Sequence, residues 1–521
     1  MGELTPRDLA SGPPLDLAII GGGINGAAIA RAAAAQGLRT ALFEASDYGF
    51  GTTWRSTKLI HGGLRYLEHG DVGLVFESLR ERAWLLATRP YLVRPQRFLL
   101  PLLPWTRRPA WQLRMGLATY DLLALYRGVP RHRRLGQAEL HELAPFLPEE
   151  ARGGFAFFDA RVLSPERLTW ELVREAQQLG AAAFNHTPVT GIATDGEAVT
   201  GIEVDTGGEQ VRIAARAVVN AAGPWVDAVN RLGDLSPPEL LGVTRGSHIV
   251  VELDGDPGHD AIFSTAKRDG RVFFAVPQDG LLLIGTTDER YEGDPGAVQP
   301  TPEDIEYLLD EGQRLLPGLD ICRERIRYAY AGLRPLQKVA GGPEAAITRR
   351  HAVIDHGKLG GARGMYSVVG GKLSTFRPLA HDVVELVAGQ RPRPWVAAPP
   401  AEWRERLLAL GFEKPVRRHL RRYGGLAGEV AQLGRELLCP HAPGLAGEVV
   451  FSAKFEQAQT IGDVLLRRTG IGWASCRGLC CHRQAADLMG DVLGWDASER
   501  ARQAAAYEAE VAYHLPVEGT S

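Results

Sequence analysis

A chain of 521 residues exceeds what one hydrophobic core organises and predicts about two to four domains. Its 45% hydrophobic and 23% charged residues, with a net charge of −3, are those of an ordinary soluble enzyme and argue against bulk electrostatic binding of nucleic acid. No apolar run reaches the ~18 residues of a bilayer span, Met1 to Pro14 lacks a secretory core, and 5 cysteines are few and odd in number, as expected of free thiols in a reducing compartment.

The first predicted elements carry the clearest chemistry. Leu15 to Ile20 reads as a strand, Gly21, Gly23 and Gly26 supply G-x-G-x-x-G around Asn25, an Ala-rich helix follows, and a second strand closes on Glu44. The first glycine permits the tight turn, the second lets a pyrophosphate approach the backbone, and the third lets helix and strand pack closely. The helix N-terminus offers N–H groups to that diphosphate. An acid about 20 residues on accepts hydrogen bonds from ribose hydroxyls and repels a 2′-phosphate, which leaves FAD and NAD open.

Further along, residues 82 to 120 carry Arg82, Arg89, Arg94, Arg97, Arg107, Arg108 and Arg114 with no acid, among Trp84, Tyr91, Phe98, Trp105, Trp111 and Tyr120. Ala214 to Trp225 reads as a buried strand entering a glycine turn at Ala222-Gly223 and a new helix. Gly246 to Leu253 and Arg271 to Gly285 alternate like antiparallel strands. Met365 to Val369 is another apolar strand, followed by Gly370-Gly371-Lys372-Leu373 and a helix. Four prolines between Pro392 and Pro400 mark a linker. Beyond it, Glu405 to Leu410, Gly428 to Leu438, Glu456 to Arg468 and Ala497 to His514 have helical spacing.

The predicted fold class is α/β. A discontinuous Rossmann-like domain (1–85, 150–235 and 330–390) receives an inserted β-rich substrate or cap domain (86–149 and 236–329), and residues 391–521 form a C-terminal helical domain.

Ser56-Thr57-Lys58-Leu59-Ile60-His61-Gly62-Gly63-Leu64-Arg65-Tyr66-Leu67-Glu68 resembles the signature of the FAD-dependent, respiratory-chain-linked glycerol-3-phosphate dehydrogenases. The resemblance continues in order through Arg245 to Val251, Ile284 to Asp288, Ala331 to Leu336, Ala346 to Arg349 and Gly370 to Arg377, and more weakly through Thr460 to Thr469. It implies FAD on Gly21, Gly23, Asn25, Gly26, Glu44, Thr57, Lys58, Gly62, Gly63, Ala222, Gly223, Gly371, Lys372 and Leu373. It also implies a cationic set of Arg65, Arg334, Arg349 and Lys372 around a substrate phosphate. Arg forks and Lys point charges suit a dianion, although any one alone reads as an ordinary surface or paired cation.

Removing the proton of a C2 hydroxyl calls for a base titrating near working pH. His248 ranks first as base or hydroxyl orienter, His61 is expected along the flavin face, and Arg334 completes the catalytic set. Tyr66 is a candidate hydrogen-bonding residue, with packing as the competing reading. Gly370-Gly371, opening a helix, is expected to offer N–H groups to the reduced flavin's pyrimidine end. Trp54 departs from the small hydroxyl residues usual in the family and is expected near the ring's entrance. Cys476-Arg477-Gly478-Leu479-Cys480-Cys481-His482 lacks the second ligand pair of a zinc site, so free thiols and no metal are expected.

The implied partners are glycerol 3-phosphate and a membrane quinone. The implied location is cytoplasmic, held peripherally on anionic lipid at the inner face of the cell membrane through residues 82–120 and basic residues such as Arg417 to Arg422. A homodimer is compatible with the sequence. The competing readings are an oxidase delivering electrons to O2, an amine or amino-acid oxidase of the same architecture, and a non-enzymatic flavin-bearing protein.

Overall fold

The computed structural model describes residues 4–68, 70–233, 238–255, 258–278, 280–338, 350–396, 399 and 401–516. Leu17–Ile20 is buried along its whole length because helices cover one face of its sheet, against Leu17 and Ile19, and a small three-stranded sheet covers the other, with Ile202, Val204 and Ile213 against Ala18 and Ile20. That six-stranded sheet runs Ala352–Asp355, Met365–Val369, Val218–Asn220, Leu17–Ile20, Thr40–Phe43, Ala182–Phe184. Every pairing is parallel except the first. Alanines fill the buried face of the Ile24–Gln36 helix, so the Pro165–Gln178 and Phe376–Ala388 helices approach it closely. Gly37, at φ 88°, ends it in a left-handed cap.

A second, ten-stranded sheet forms the substrate domain. Its backbone is the long antiparallel pair of Leu241–Glu252 and Ile326–Gln337, in register from Leu241↔Gln337. It also takes in Leu59–Ile60, Val93–Pro101 and Gly154–Val162. The expected boundaries are therefore corrected: Leu59–Ile60 and Gly154–Val162 leave the nucleotide unit, and the division at 330 cuts through one continuous strand. Apolar alternation marks a strand but not which sheet claims it. A small three-stranded sheet, Val189–Thr194, Val199–Asp205 and Gln210–Ala214, flanks the first.

After the linker come helices Trp403–Ala409, Lys414–Leu420, Ala427–Leu433, Ala446–Phe455, His482–Leu493 and Ala497–Tyr513, interrupted by the Leu437–Cys439/Ala442–Leu445 hairpin. The expected Glu456–Arg468 helix starts only at about Ile461, because the Asp463 carboxylate accepts from Gln459 N and Thr460 N and caps a turn there. Val449, Ile461, Leu465, Met489 and Tyr507 make a core of its own, while Trp403, Leu420, Tyr423 and Val430 join the nucleotide domain's core. Asp47 binds the domain in place: its two oxygens accept from Arg468 Nη1 and Nη2, both at 2.7 Å, and from Arg467 Nε at 3.2 Å, all buried.

Two expectations about aromatic residues change. Trp54 is buried against Tyr330, Trp473 and His514, where it seals the C-terminal domain onto the substrate domain instead of standing at an entrance. Within 82–120, Tyr91, Phe98 and Tyr120 are buried, Trp84 packs on Phe376 and Trp395, Arg82 pairs with Asp159, and Arg89 with Glu171 and Glu175. Those residues are core. The exposed apolar surface is the Ala110–Leu123 helix and its exit, with Trp111, Met115, Leu122, Leu125 and Tyr126 outward. Of the basic C-terminal run, His419 bonds Glu448, Arg421 the carbonyls of Pro90 and Tyr91, and Arg422 that of Thr469. No described helix is long and apolar enough to cross a membrane.

Candidate active site

The glycine turn ends the first strand against the Val218–Asn220 strand's exit. Gly21 sits at φ +103°, and a Cβ there would lie 2.7 Å from Ala221 O; one on Gly26 would overlap Gly21 O. Gly23 caps the following helix without a side-chain hydrogen bond, so its first turn faces the cleft, with only Ile24 N taken by Thr53 Oγ1 at 3.1 Å. Glu44 accepts from Gly22 N at 2.6 Å and Ser46 N at 2.9 Å. Burial raises its pKa, and those two bonds partly offset the rise. Asn25 Oδ1 is buried with no hydrogen-bond partner among the described residues, while its Nδ2 reaches Gly370 O at 3.5 Å. A Cβ on Gly223 would meet open space.

This donor set fits a dinucleotide. Gly21 to Gly26 would cradle the diphosphate, Glu44 has lone pairs remaining for ribose hydroxyls, and the orphaned Asn25 Oδ1 calls for a donor from a ligand.

On the other side, His248 lies in the Leu241–Glu252 strand, stacked on Tyr330 at 5.1 Å between centroids, with Nε2 2.9 Å from Thr57 Oγ1. Its Nδ1 makes no well-formed bond, although the main chain of Gly246 lies near enough to favour a proton slightly. Burial, then the charges of Arg334 and Lys58, hold its pKa at about 3. His248 is thus a neutral imidazole at working pH. That removes the reason for reading it, in the unliganded enzyme, as a base titrating near neutrality and leaves it there as a hydrogen-bonding, orienting group.

Arg334 lies across the neighbouring strand: Nη1 donates to Asp288 Oδ1 at 2.9 Å, and Nη2 to Thr286 Oγ1 at 3.0 Å and Thr287 O at 3.2 Å. Its guanidinium occupies the space a side chain on Gly246 would need, as the His248 ring does over Gly285 and the Tyr66 ring over Gly63. The glycines of these motifs make room for the polar residues.

The loops converge. Gly370 N donates to Pro335 O at 2.8 Å, joining the Arg334 strand to the Gly370–Lys372 loop, and Gly371 abuts Asn25 of the nucleotide turn. Lys372 Nζ lies 3.8 Å from the Tyr66 ring centroid and 3.4 Å from Ser78 Oγ. Gly371 does not open the helix directly. A turn closed by Thr375 N to Lys372 O comes first, Leu373 packs into the core, and the helix starts at Phe376.

His61 is half-buried at the end of the Leu59–Ile60 strand. Next to it, Gly62 N donates to Tyr120 Oη at 2.8 Å. Ala222 N is taken by Asn220 Oδ1 at 3.1 Å. The Lys58 side chain is buried and paired with Glu166 at 3.3 Å, which leaves its main chain to meet a cofactor. Arg65 sits in the Leu64–Glu68 helix, and its side chain is outside the described set. Arg349 lies outside the described residues, one position before Arg350, which bonds Asp71 at 2.9 Å. Sequence reasoning did not single out Thr286, Asp288 and Tyr330, which hold Arg334 and His248. Only their places in the quoted motifs, or beside one, hinted at them.

A cavity of about 850 Å³ opens beneath the exposed Ala110–Leu123 helix, lined by Leu64, Leu67, Trp111, Met115, Phe263 and, at its inner edge, the Arg334 partner Asp288.

A glycine-cradled dinucleotide site beside a second sheet that carries Arg334 and His248 is the architecture of a flavoprotein oxidoreductase. Residues 16–375 match the FAD dependent oxidoreductase family, and residues 358–500 match the C-terminal domain of alpha-glycerophosphate oxidase. The glycerol-3-phosphate dehydrogenase of Synechocystis is 35% identical over 94% of this chain and 95% of its own length. The aerobic enzyme of Staphylococcus aureus is 31% identical over 93% and 92%. The glycerol-3-phosphate dehydrogenase of Bacillus halodurans, solved with FAD, superposes with a TM-score of 0.78 at 26% identity over 99% of both chains. The chain belongs to the FAD-dependent glycerol-3-phosphate dehydrogenase family.

Proposed function

We propose that this enzyme oxidises sn-glycerol 3-phosphate to dihydroxyacetone phosphate, with Arg334 and Lys372 gripping the phosphate and the His248–Thr57 pair holding the C2 hydroxyl. FAD, when bound, supplies the two-electron acceptor that takes the C2 hydrogen as hydride. The observation that carries the reading is geometric: Gly246 and Gly285 leave room for the Arg334 guanidinium and the His248 ring, and the Gly370 N to Pro335 O bond brings the Lys372 loop to the Arg334 strand. A phosphate dianion on Arg334 would also cancel a charge that lowers the imidazole's proton affinity. Substrate binding therefore lifts His248 toward accepting the hydroxyl proton. The lift is partial, since burial is the larger cause of its low pKa. Asp288 and Thr286 fix the guanidinium beforehand, which reduces the ordering cost of binding.

A membrane quinone as acceptor, and peripheral attachment to the inner face of the cell membrane, are supported by the same face of the molecule. Trp111 and Met115 project from a helix that also roofs the 850 Å³ cavity, and Arg107, Arg108 and Arg114 flank them. An apolar ring acceptor leaving lipid would meet this surface first. Cytoplasmic location and homodimer assembly rest on the resemblance alone.

The test is anaerobic. Glycerol 3-phosphate should bleach the flavin absorbance and yield dihydroxyacetone phosphate, and a short-chain quinone should restore the colour. Failure to bleach refutes the substrate. Reoxidation by O2 with stoichiometric peroxide, and none by quinone, would make the protein an oxidase.

A further inference from the structure

Four of the five cysteines, 37 and more residues apart at the extremes, meet in the C-terminal domain. Cys439 closes the first strand of the Leu437–Cys439/Ala442–Leu445 hairpin. Cys476, Cys480 and Cys481 lie in the loop between the Ile471–Trp473 turn and the His482–Leu493 helix. The sulfur of Cys439 is 3.2 Å from that of Cys480 and 3.5 Å from that of Cys476, and the last two are 3.4 Å apart. Cys481 Sγ lies within 4.8 Å of Cys439 Sγ and Cys480 Sγ. These separations are far beyond the ~2.05 Å of a disulfide. Those among Cys439, Cys476 and Cys480 fall a few tenths of an ångström short of the ~3.8 Å edge of a tetrahedron built on Zn–S bonds of ~2.3 Å, and Cys481 joins through Cys439 and Cys480.

The main chain reaches two of the sulfurs: His441 N donates to Cys439 Sγ at 3.3 Å, and the Cys481 thiol donates to Gly478 O at 3.3 Å. The turn at Arg477-Gly478 is costly for its sequence, since Arg477 sits at φ 55° ahead of Gly478 at φ 72°, and Tyr507 Oη secures it by donating to Arg477 O at 2.8 Å. The neighbouring His482 has both ring nitrogens committed, to Leu479 O and Glu508, so the available set is all sulfur. Cys439 and Cys481 are buried while Cys480 reaches solvent, which provides an entry path.

We propose that Cys439, Cys476, Cys480 and Cys481 form a structural zinc site that ties the 437–445 hairpin to the loop preceding the His482–Leu493 helix. This replaces the sequence expectation of free thiols and no metal: the missing second ligand pair is completed from outside the motif, by Cys439. Soft thiolates select zinc over the hard cations, and a closed four-sulfur set assigns a structural role. A dication among the four sulfurs favours their thiolate forms, so loading releases protons. Its loop reaches the core through Trp473, which lies tilted against Tyr328 and edge-on to Tyr330.

The test uses the full-length flavoprotein, reduced and titrated with Co2+ and then Zn2+, with metal content measured after gel filtration. The expected result is about one zinc per chain and the intense sulfur-to-cobalt charge-transfer and tetrahedral d–d bands of a thiolate site, bleached by zinc. Cys480→Ser, at an exposed position, should weaken cobalt binding at least tenfold, and Cys322→Ser should leave it unchanged. Chelation should lower the unfolding midpoint without releasing FAD. Absence of tetrahedral bands in the reduced wild-type chain, equal affinity in Cys480→Ser, or a thiol count showing a disulfide among these four without metal would each overturn the proposal.

Discussion

Gly246→Ala tests the substrate site without removing any charged group. The new Cβ would lie 2.6 Å from both Cζ and Nη1 of Arg334, about an ångström inside ordinary contact, and closer still to Nη2. The obstructing atoms are the end of a flexible side chain, so the guanidinium swings away while the Gly246↔Gly332 and Thr244↔Arg334 pairings stay. Its bonds to Asp288 and Thr286 break, and with them the aim at the phosphate. A hydrogen bond to a charged group is worth ~1.5–3 kcal/mol, so kcat/KM for glycerol 3-phosphate should fall ~10- to 150-fold. Most of the loss should be in KM, since the phosphate is held in ground and transition state alike. Steady-state kinetics with a dye acceptor, beside flavin content and unfolding midpoint, reads this directly. An unchanged KM in a variant that keeps its FAD and its midpoint would refute the placement of Arg334 on the substrate.

Other outcomes follow from the same geometry. Gly26→Ala, whose Cβ would overlap Gly21 O, should yield folded protein with most of its FAD lost, measured by the ratio of flavin to protein absorbance. The kcat/KM profile, which reports the free enzyme, should lack an ionisation near pH 6.5, because His248 is held at about 3 there; an acid limb at the usual histidine position that vanishes in His248→Asn would contradict this. Because His248 and His514 both have folded pKa values of about 3 against ~6.5 unfolded, their contribution to stability is whole above pH 6.5 and drains away as pH falls toward 3. Denaturant midpoints between pH 7 and 4.5 should therefore decline, and less steeply in His514→Gln. Asp47→Ala takes both short carboxylate bonds from the buried Arg468, while Arg467 keeps Asp463 and Glu510, and should cost about 3–5 kcal/mol, seen as early unfolding of the C-terminal domain. Trp111→Ser with Met115→Ser should abolish flotation with anionic liposomes at low salt while leaving dye-linked activity intact; flotation unchanged in the double variant would move the attachment elsewhere.

The parts legible in the sequence were those whose physics is local. Gly21 to Gly26, the Ala-rich helix and Glu44 sit within one strand–turn–helix–strand unit, and each residue type is dictated by a neighbour a few positions away. Arg334 and Lys372 were legible only as members of motifs. Nothing in their own spacing says that Gly370 N would meet Pro335 O and draw the two loops together. His248 was found, but its environment was not: its partner Thr57 is 191 residues away, and burial, which sets its pKa, has no signature in Gly-Ser-His-Ile-Val. Trp54, Tyr91 and Arg89 misled for the same reason. An aromatic or basic residue reads alike whether it faces lipid or a buried partner, and Trp473, Trp403 and Glu175 are hundreds or tens of residues distant. Cys439 is the sharpest case, since a ligand-spacing rule sees only Cys476 to Cys481.

The central claim is that Arg334 recognises the phosphate of a small polyol. The direct measurement is the rate of anaerobic flavin reduction by glycerol 3-phosphate and by glycerol, in the wild-type enzyme and in Arg334→Ala. The account predicts that the variant loses its advantage for the phosphorylated substrate by at least tenfold, with the glycerol rate scarcely altered. Equal losses for both alcohols, or an undiminished preference for the phosphate, would contradict it.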